Sequence, residues 1–479
     1  MFKSFLSLLL CLLVSAVYAQ SPKPFTPQQL KQDLQVLKDS LEVVHPALYR
    51  YFKKPVIDAA FRDTERRLNK PMDAAQFYTL VAPLATMAGD IHTSIELPDD
   101  YHSWVAANKK LFPFDVRIIG QDVFIASNNS DDSTISVGSK IIKINDQPVA
   151  KLLHKLGSTF SGEGANQTLK IRRVEQRFAF QYYFVYGDCK KFKIEYVDGD
   201  ARHLKTVAPQ PYSVFNARRA NTRKTCPLLK PLFPQPPYLS LSLEKEKSTA
   251  VLTVKWLQND VLASSGEAFK PFIDSAFAAI NKEGIQHLII DIRNNDGGES
   301  ANASYLYSYL SDKPFRFLYA MEATRTTYEA DISTGIRYTK GITVDTATNV
   351  GTFFGLNTQS LPGNRFAGAV YVLTDGLTVS AAAQFVTLVK LNKRGVLIGE
   401  ELPGALNGGS GRGYAYFYLP NTNLLSMISR YRLYMTEPSK PHRDDCVQPD
   451  YIPMKTIAEL LMGVDKDLQT AHDLIQKAL

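Results

Sequence analysis

The spacing of apolar residues changes along the chain, and each change marks a different kind of structure. From Thr26 to about Asn69 apolar residues recur three or four positions apart, which predicts helices. The stretch AAQFYTLVAPLATMAGDIHTSIEL continues with a second amphipathic pattern that ends just ahead of His92. Residues 25–108 are therefore predicted to form an N-terminal helical domain, with His92 in a turn between a helix and a strand.

Between residues 111 and 208 the pattern has a period of two and is divided by short turns. The alternating stretches are FPFDVRIIGQDVFIAS, ISVGSKIIKINDQPV and FKIEYVDGDARHLKTV. This alternation predicts a small β-rich domain. Residues 209–248 follow and include TCPLLKPLFPQPP, whose prolines predict a linker or an extended arm.

The remaining part of the chain alternates apolar strands with amphipathic helices. The strand patterns are TAVLTVKWL, HLIIDIR, GAVYVLTDG and RGVLIGE. Because these runs are continuously apolar, the strands are expected to be buried on both faces of an α/β layered domain at 249–462. A C-terminal helix is expected at 463–479. The whole chain is thus predicted to be an α+β multidomain protein.

The first nineteen residues, MFKSFLSLLLCLLVSAVYA, have the features of a secretory leader. Lys3 precedes an apolar run, and small residues stand where a signal peptidase cleaves, so residues 1–19 are predicted to be removed. The apolar run is too short to span a bilayer, and no later run reaches the roughly 18 apolar residues required. We therefore expect an exported protein, in the periplasm or outside the cell, without a stable membrane span.

Composition narrows the classes of partner and cofactor. The net charge of +8 is spread along the chain without a dense Lys/Arg block, so no nucleic-acid surface is predicted. Cys189, Cys226 and Cys446 remain after the leader, an odd number that is compatible with one disulfide and a free thiol. No spacing typical of a metal site is present, and neither a metal nor an organic cofactor is predicted. The sequence indicates no oligomeric state.

A glycine pair follows the strand pattern HLIIDIR, in the loop DIRNNDGG at residues 291–298. In layered α/β domains, catalytic groups lie at the carboxyl ends of the strands. Gly297 and Gly298 allow a backbone to approach a ligand closely, as an oxyanion-binding turn requires. The alternative is an ordinary flexible turn.

The stretch VYVLTDGLTVSAAAQF, residues 370–385, predicts a buried strand that passes through a tight turn into a helix. Ser380 stands where this helix begins. A nucleophile at this place would benefit from the helix dipole and from the amide of Ala381. The alternative is that Ser380 merely caps the helix, although Thr378 could cap the same helix.

Taken together, these blocks resemble a known family. In order and spacing, DIRNNDGG, VLTDGLTVSAAAQF, RGVLIGEELPG and VQPDYIP resemble the catalytic domain of the C-terminal processing and tricorn-like serine peptidases. HPALYRYF and MAGDIHTSIEL resemble the helical segment of the histidine-containing subgroup. The resemblance implies a ClpP/crotonase-like α/β spiral for the catalytic domain. It also implies a PDZ-like domain at 111–208, where VGSKIIKINDQPV matches a characteristic strand and turn.

The resemblance also implies roles for individual residues. Ser380 would be the nucleophile, with the amides of Ala381 and Gly297 as oxyanion donors. Processing peptidases place a lysine base about 25 residues beyond the nucleophile, which here falls at Ala405. The tricorn-like members use a histidine instead, and His92 matches it within Asp-Ile-His-Thr, where the family pattern is Asp-Gly-His-Thr.

An acidic residue near the end of the chain would complete the relay, and two candidates remain open. Glu437 lies in MTEPSK, and Asp444 lies in HRDDCVQPD. Asp450 is expected to stabilise the structure rather than to act in chemistry. The leading hypothesis is an exported serine endopeptidase that acts on peptides or proteins. The alternatives are a catalytically idle protein of the same fold that binds a lipid or retinoid-like ligand, and an esterase.

Overall fold

The computed structural model describes residues 24–324, 343–345, 350–352, 354–438 and 445–478. The predicted leader at 1–19 and Asp444 lie outside these residues. The described chain is a mixed α+β structure with several sheets. None of its helices is long and apolar enough to cross a lipid bilayer. Cys189, Cys226 and Cys446 are all free thiols.

The N-terminal part is helical, as the spacing of apolar residues predicts. Its helices are α1 (Pro27–Val44), α2 (Lys54–Arg67), α3 (Ala74–Ala85) and α4 (Asp99–Asn108). Thr26 and Asp73 form capping boxes at the starts of α1 and α3. The pattern from Thr26 to Asn69 is divided into two helices, because Pro46 disfavours helical backbone at His45 and α1 ends before it.

The β-rich module, residues 111–208, is built on an antiparallel sheet of order β3-β4-β5-β7-β8, with β6 paired to β5. The strands of this region are β2 (Lys110–Leu111), β3 (Phe114–Ile119), β4 (Asp122–Asn128), β5 (Lys140–Ile144), β6 (Gln147–Pro148), β7 (Phe192–Asp198) and β8 (Ala201–Val207). Two helices connect β6 to β7, α5 (Val149–Gly157) and α6 (Thr168–Tyr186). The sequence analysis did not assign these helices. The PDZ-like assignment stays a prediction.

The prediction of a linker or extended arm at 209–248 is wrong for much of that segment. It contains β9 (Gln210–Pro211), helix α7 (Tyr212–Thr225) and β10 (Leu239–Glu244). The prolines are concentrated from Pro227 onward, so they do not interrupt the helix before them. β10 is regular because it pairs along its whole length with the next strand of the chain.

A five-stranded sheet forms the centre of the following domain, in the order β10-β11-β12-β18-β19. Its other strands are β11 (Thr249–Val254), β12 (His287–Asp291), β18 (Ala369–Thr374) and β19 (Val396–Gly399). They are parallel to one another, whereas β10 is antiparallel at the edge.

Helices cover both faces of this parallel sheet. They are α8 (Asn259–Ser264), α9 (Phe269–Lys282), α10 (Ser300–Ser308), α11 (Ala381–Leu391) and, near the end of the chain, α13 (Lys466–Ala478). The short helix α12 (Ile457–Leu461) precedes α13 and packs instead on a small cluster with Ala126 and Leu228. Leu288 and Ile290 pack into the larger core with α9, whereas Ile289 packs on the opposite face with Ala471 of α13. The prediction of strands buried on both faces is confirmed.

A second sheet joins the N-terminal part to the late part of the chain. It contains β1 (Ser94–Glu96), β14 (Ala320–Ala323), β15 (Thr343–Asp345), β16 (Val350–Thr352), β20 (Ser410–Tyr418) and β21 (Leu425–Tyr434). A separate two-stranded sheet pairs β13 (Phe315–Arg316) with β17 (Thr358–Gln359). β1 pairs antiparallel with β21, and β21 also pairs with β20. The turn that carries His92 is therefore held beside the start of β20.

Candidate active site

Ser380 lies in the turn between β18 and α11, at the carboxyl end of the parallel sheet. Its φ of 54° and ψ of −123° are a strained conformation for a residue with a side chain. The Ser380 side chain makes no capping hydrogen bond to α11. The interpretation of Ser380 as a helix cap is therefore not supported. A strained serine between a strand and a helix is typical of a nucleophile elbow.

Thr378 does not cap α11 either. Its hydroxyl donates to the carbonyl oxygen of Ile292 at 3.3 Å and accepts the amide of Asp375 at 3.1 Å. The amide of Val379 donates to the carbonyl oxygen of Asn295 at 2.9 Å. These bonds fasten the Ser380 turn to the DIRNNDGG loop.

The glycine pair of this loop is closely packed, unlike the residues of an ordinary flexible turn. Gly297 has a φ of +94°, and a Cβ atom on it would lie 2.8 Å from Ser380 Cβ and 3.0 Å from the nitrogen of Ala381. Gly298 has a φ of +129°, and a Cβ atom on it would lie 2.5 Å from the nitrogen of Gln258. A side chain at either position would collide with the backbone or with Ser380.

The loop amide that is available to an oxyanion is not the predicted one, that of Gly297. The Gly297 amide donates to Asn295 Oδ1 at 2.9 Å, and the Gly297 carbonyl oxygen accepts the amide of Leu257 at 3.0 Å. Because the peptide is trans, the Gly298 amide points away from Leu257. Among the described residues, neither the Gly298 amide nor the Ala381 amide has a hydrogen-bond acceptor.

His92 lies in the turn between α3 and β1, after a short 3-10 helix at Thr86–Ala88. Its Nδ1 atom is 2.8 Å from the carbonyl oxygen of Ser410. Because a carbonyl oxygen accepts and cannot donate, Nδ1 carries the proton and Nε2 has the free lone pair. Burial lowers the pKa of His92, opposed by the charge of Asp90 and by the Ser410 carbonyl.

Asp90 stabilises the same turn through hydrogen bonds. Its carboxylate accepts the backbone amide of His92 at 2.6 Å, the His45 Nε2 proton at 2.6 Å, and the hydroxyls of Thr93 and Ser429. Burial alone would raise the pKa of Asp90. The hydrogen bond and charge of His45, together with His92 and Thr93, outweigh burial and lower the pKa to about 2. Asp90 is thus an ionised carboxylate close to His92.

Ser380 and His92 line the same cavity. The cavity has a volume of about 30 Å³, which is room for about one water molecule. The other lining residues come from several segments and are Ile91, Glu163, Ala383, Gln384, Thr387, Pro403, Gly404, Ala405, Gly408, Gly409, Ser410, Leu433 and Met435. A serine and a neutral imidazole at one cavity are the components of general-base-assisted nucleophilic catalysis.

Comparison with known proteins agrees with this arrangement. Residues 257–432, which include Ser380 and the glycine loop, match the family model described as peptidase family S41. The similarity to this family lies in these residues, which are less than half of the chain. The match confirms the resemblance to the C-terminal processing and tricorn-like peptidases.

Solved structures show the same fold for nearly the whole chain. Mature CPAF in complex with lactacystin has a TM-score of 0.65 at 12% identity, over 94% of this chain and 98% of that one. A CPAF s499a mutant has a TM-score of 0.65 at 13% identity, over 94% of this chain and 96% of that one. No curated protein sequence was found to match this chain. At these identities the similarity shows a common fold.

Two further residues named in the sequence analysis can be placed in the structure. Ala405, at the position where processing peptidases of this family have a lysine, lines the cavity with Ser380. Asp450 accepts the backbone amide of Leu397 at 2.8 Å and pairs with Lys390, which agrees with a structural role.

Only one of the two acidic candidates lies within the described residues. Glu437 is exposed after β21 and is not among the cavity-lining residues, and Asp444 is not described. The acidic member of the relay stays a prediction. Within the described chain, no group of three or more His, Cys, Asp or Glu side chains is arranged to hold a metal ion.

Several residues of the site were missed from the sequence. Glu163 and Ser410 carried no signal beyond their surroundings. The position of His45 within HPALYRYF and of Asp90 within DIHT could have indicated them, since both stretches resemble the family's helical segment.

Proposed function

We propose that this chain is a serine peptidase that cleaves peptide bonds through an acyl-enzyme. The match of residues 257–432 to peptidase family S41 supports peptides or proteins as its substrates. The observation that carries the mechanism is the cavity that Ser380 shares with His92, whose Nδ1 is bound to the Ser410 carbonyl. This bond leaves Nε2 as the nitrogen that can take a proton.

In the proposed reaction, Ser380 Oγ attacks the carbonyl carbon of the scissile bond while His92 Nε2 takes the hydroxyl proton. The amides of Ala381 and Gly298 stabilise the oxyanion, because the Gly297 amide already donates to Asn295 Oδ1. His92 then gives the proton to the leaving amine. A water molecule then attacks the ester carbon while His92 takes its proton, and His92 returns that proton to Ser380 Oγ as the C–O bond of the ester breaks.

Asp90 supplies negative charge behind the imidazolium that forms during this reaction. Its nearer carboxylate oxygen is 3.9 Å from His92 Nδ1. The distance is too long for a hydrogen bond, so Asp90 acts on the ring by charge and on the backbone by its bond to the His92 amide.

We also propose that the protein is exported, on the basis of the leader-like residues 1–19. N-terminal sequencing of the protein recovered from its native cells should begin at Gln20. A mature chain that retains Met1 inside the cell would contradict export without affecting the peptidase proposal.

The direct test is labelling by a fluorophosphonate, which reacts with activated serines. Wild-type protein should be labelled, whereas Ser380→Ala should not be labelled and His92→Ala should be labelled at least about a hundredfold more slowly. Because burial lowers the pKa of His92, the neutral base persists to lower pH, and the rate should be half-maximal below the ordinary value of 6.5.

The same experiment separates the alternatives. A folded wild-type protein that is not labelled at any pH would contradict the peptidase proposal and direct attention to ligand binding. Labelled protein that hydrolyses simple esters but no peptide in a diverse peptide pool would favour an esterase.

A further inference from the structure

A buried cluster of Glu163, Arg50 and Tyr51 borders the cavity that Ser380 and His92 share. Arg50 Nη1 donates to Glu163 Oε1 at 3.0 Å, and the Tyr51 hydroxyl donates to the same oxygen at 2.8 Å. The side chains of Glu163 and Arg50 are only 1% and 4% exposed. Polar groups buried to this degree must be hydrogen-bonded to one another, so the geometry of the cluster is tightly constrained.

The first contact of this cluster is with the segment that orients the His92 ring. The same guanidinium nitrogen donates to the carbonyl oxygen of Gly408 at 3.0 Å. Two residues later, the Ser410 carbonyl accepts the Nδ1 proton of His92. A Cβ atom on Gly409 would lie 2.7 Å from Glu163 Oε2, so the carboxyl group packs directly against this backbone.

The second contact is with the turn that orients the His92 backbone. The amide of Gly164 donates to the carbonyl oxygen of Gly89 at 2.8 Å. The Tyr51 ring packs against both glycines, because a Cβ atom on Gly89 would lie 2.3 Å from the ring and one on Gly164 would lie 2.8 Å from it. Asp90, which follows directly, accepts the His92 amide. Both supports of His92 are thus attached to this cluster.

We propose that Glu163 is a positioning residue for His92, acting through Arg50 on the 408–410 segment and through Tyr51 on the Gly89 turn. This inference rests on the proposed function, because it concerns the base of that reaction. A displacement of a catalytic group by about 1 Å costs roughly a hundredfold in rate. Loss of the Glu163 carboxyl should therefore slow acylation without weakening the binding of a small acylating agent.

Glu163 is also a titratable group at the wall of the cavity. The titratable and charged groups that face it are Arg50, Tyr51, Asp90, Arg432 and Cys446. Burial raises the pKa of Glu163 to about 8, opposed by Arg50 and reinforced by Asp90. The carboxyl is therefore mainly protonated at neutral pH. Glutamine reproduces the shape and charge of that form but cannot ionise.

The test compares wild type, Glu163→Ala and Glu163→Gln by the rate constant and the binding constant of fluorophosphonate labelling, from about pH 5 to about pH 10. We expect folded Glu163→Ala to lose about a hundredfold in the labelling rate constant, with the binding constant changed by less than about twofold. Glu163→Gln should keep most of the rate at neutral pH and lose the wild-type inflection near pH 8.

Two other variants complete the design. Gly409→Ala crowds the Glu163 carboxyl without changing charge and should lower the same rate constant. Asp33→Asn is the matched control, because Asp33 is an equally buried carboxylate that accepts the amides of Asn421 and Thr422 and does not line the cavity. Its rate constant per folded molecule should equal that of wild type.

The outcomes separate the two proposals. Absence of labelling in wild type overturns the proposed function and this inference with it. Labelled wild type together with a folded Glu163→Ala of unchanged rate and pH profile overturns the inference alone. If Glu163→Ala does not fold, the other two variants decide. The inference is overturned when the inflection near pH 8 persists in Glu163→Gln and Gly409→Ala is labelled at the wild-type rate.

Discussion

Ser380 and Gly297 are held against each other by backbone conformations with positive φ. The strained backbone of Ser380 places its side chain at the cavity, and Gly297 allows the loop to approach Ser380 closely. Gly297→Ala should therefore destabilise the protein by about 1–3 kcal/mol. It should also reduce fluorophosphonate labelling by at least about tenfold, because the new methyl group meets Ser380 Cβ and the Ala381 nitrogen.

Gly284 provides the control for that substitution. It also has a positive φ, +63°, but a Cβ atom there meets nothing within 4 Å. Gly284→Ala should lower the unfolding temperature through backbone strain while leaving labelling of the folded protein unchanged. Equal labelling of wild type and Gly297→Ala would contradict the close packing of the loop on the nucleophile.

Among the elements of the fold, the short strand β1 directly follows the turn that carries the base. Its pairing with β21 places Ile95 opposite Ser426, and Ile95 is 1% exposed in the core. Ile95→Ala should lower the free energy of unfolding by about 2–5 kcal/mol. Because β1 begins two residues after His92, labelling of the remaining folded protein should also fall, by about tenfold. Chemical denaturation and labelling of the same samples measure both effects.

Val105 in α4 is the matched position for that experiment. It is fully buried in the same core but lies further from His92 along the chain. Val105→Ala should reduce stability while the folded protein keeps the wild-type labelling rate. A loss of labelling rate in both variants would mean that the rate depends on the general stability of the core rather than on the pairing of β1 with β21.

At the scale of the whole molecule, Arg172 joins the β-rich module to the parallel sheet. Its guanidinium donates to the Ile118 carbonyl at 3.0 Å and to Glu400 at 2.8 Å, and Glu400 in turn accepts the amide of Gly376 at 3.1 Å, near the Ser380 turn. Burial would raise the pKa of Glu400, but the charge of Arg172 outweighs burial and holds the pKa well below its usual range.

Arg172→Gln should therefore lower the free energy of unfolding by about 3–5 kcal/mol, since it removes the cation that pairs with Glu400 and with the buried carboxylate of Glu175. Urea denaturation measures this change. Arg66→Gln is the control, because the Arg66–Asp63 pair is exposed on both sides and is expected to contribute nothing measurable. Similar unfolding curves for the two variants would show that the contact between the module and the sheet is not stabilising.

The difference between prediction and structure follows from the range of the interactions involved. The apolar runs of β12 and β18 and the helical spacing of α1 and α3 were read correctly, because they depend on residues close in sequence. The segment at 209–248 was misread, since the β10 strand is stabilised by pairing with β11 and local proline content does not reveal that pairing. The aromatic residues of α6 pack on Phe112 and Phe192 of the β-rich module, a contact that local spacing does not reveal.

The sequence by itself determined that Ser380 stands at the start of a helix after a buried strand, that two glycines follow another strand of the same sheet, and that His92 lies in a turn. Tertiary structure alone decided that Ser380 and His92 share one cavity, that Gly297 packs against Ser380, and which atoms orient the His92 ring. His92 and the Ser410 carbonyl are 318 residues apart. Contacts at that separation arise from sheet pairing and core packing, which also bring Glu163 to the wall of the cavity.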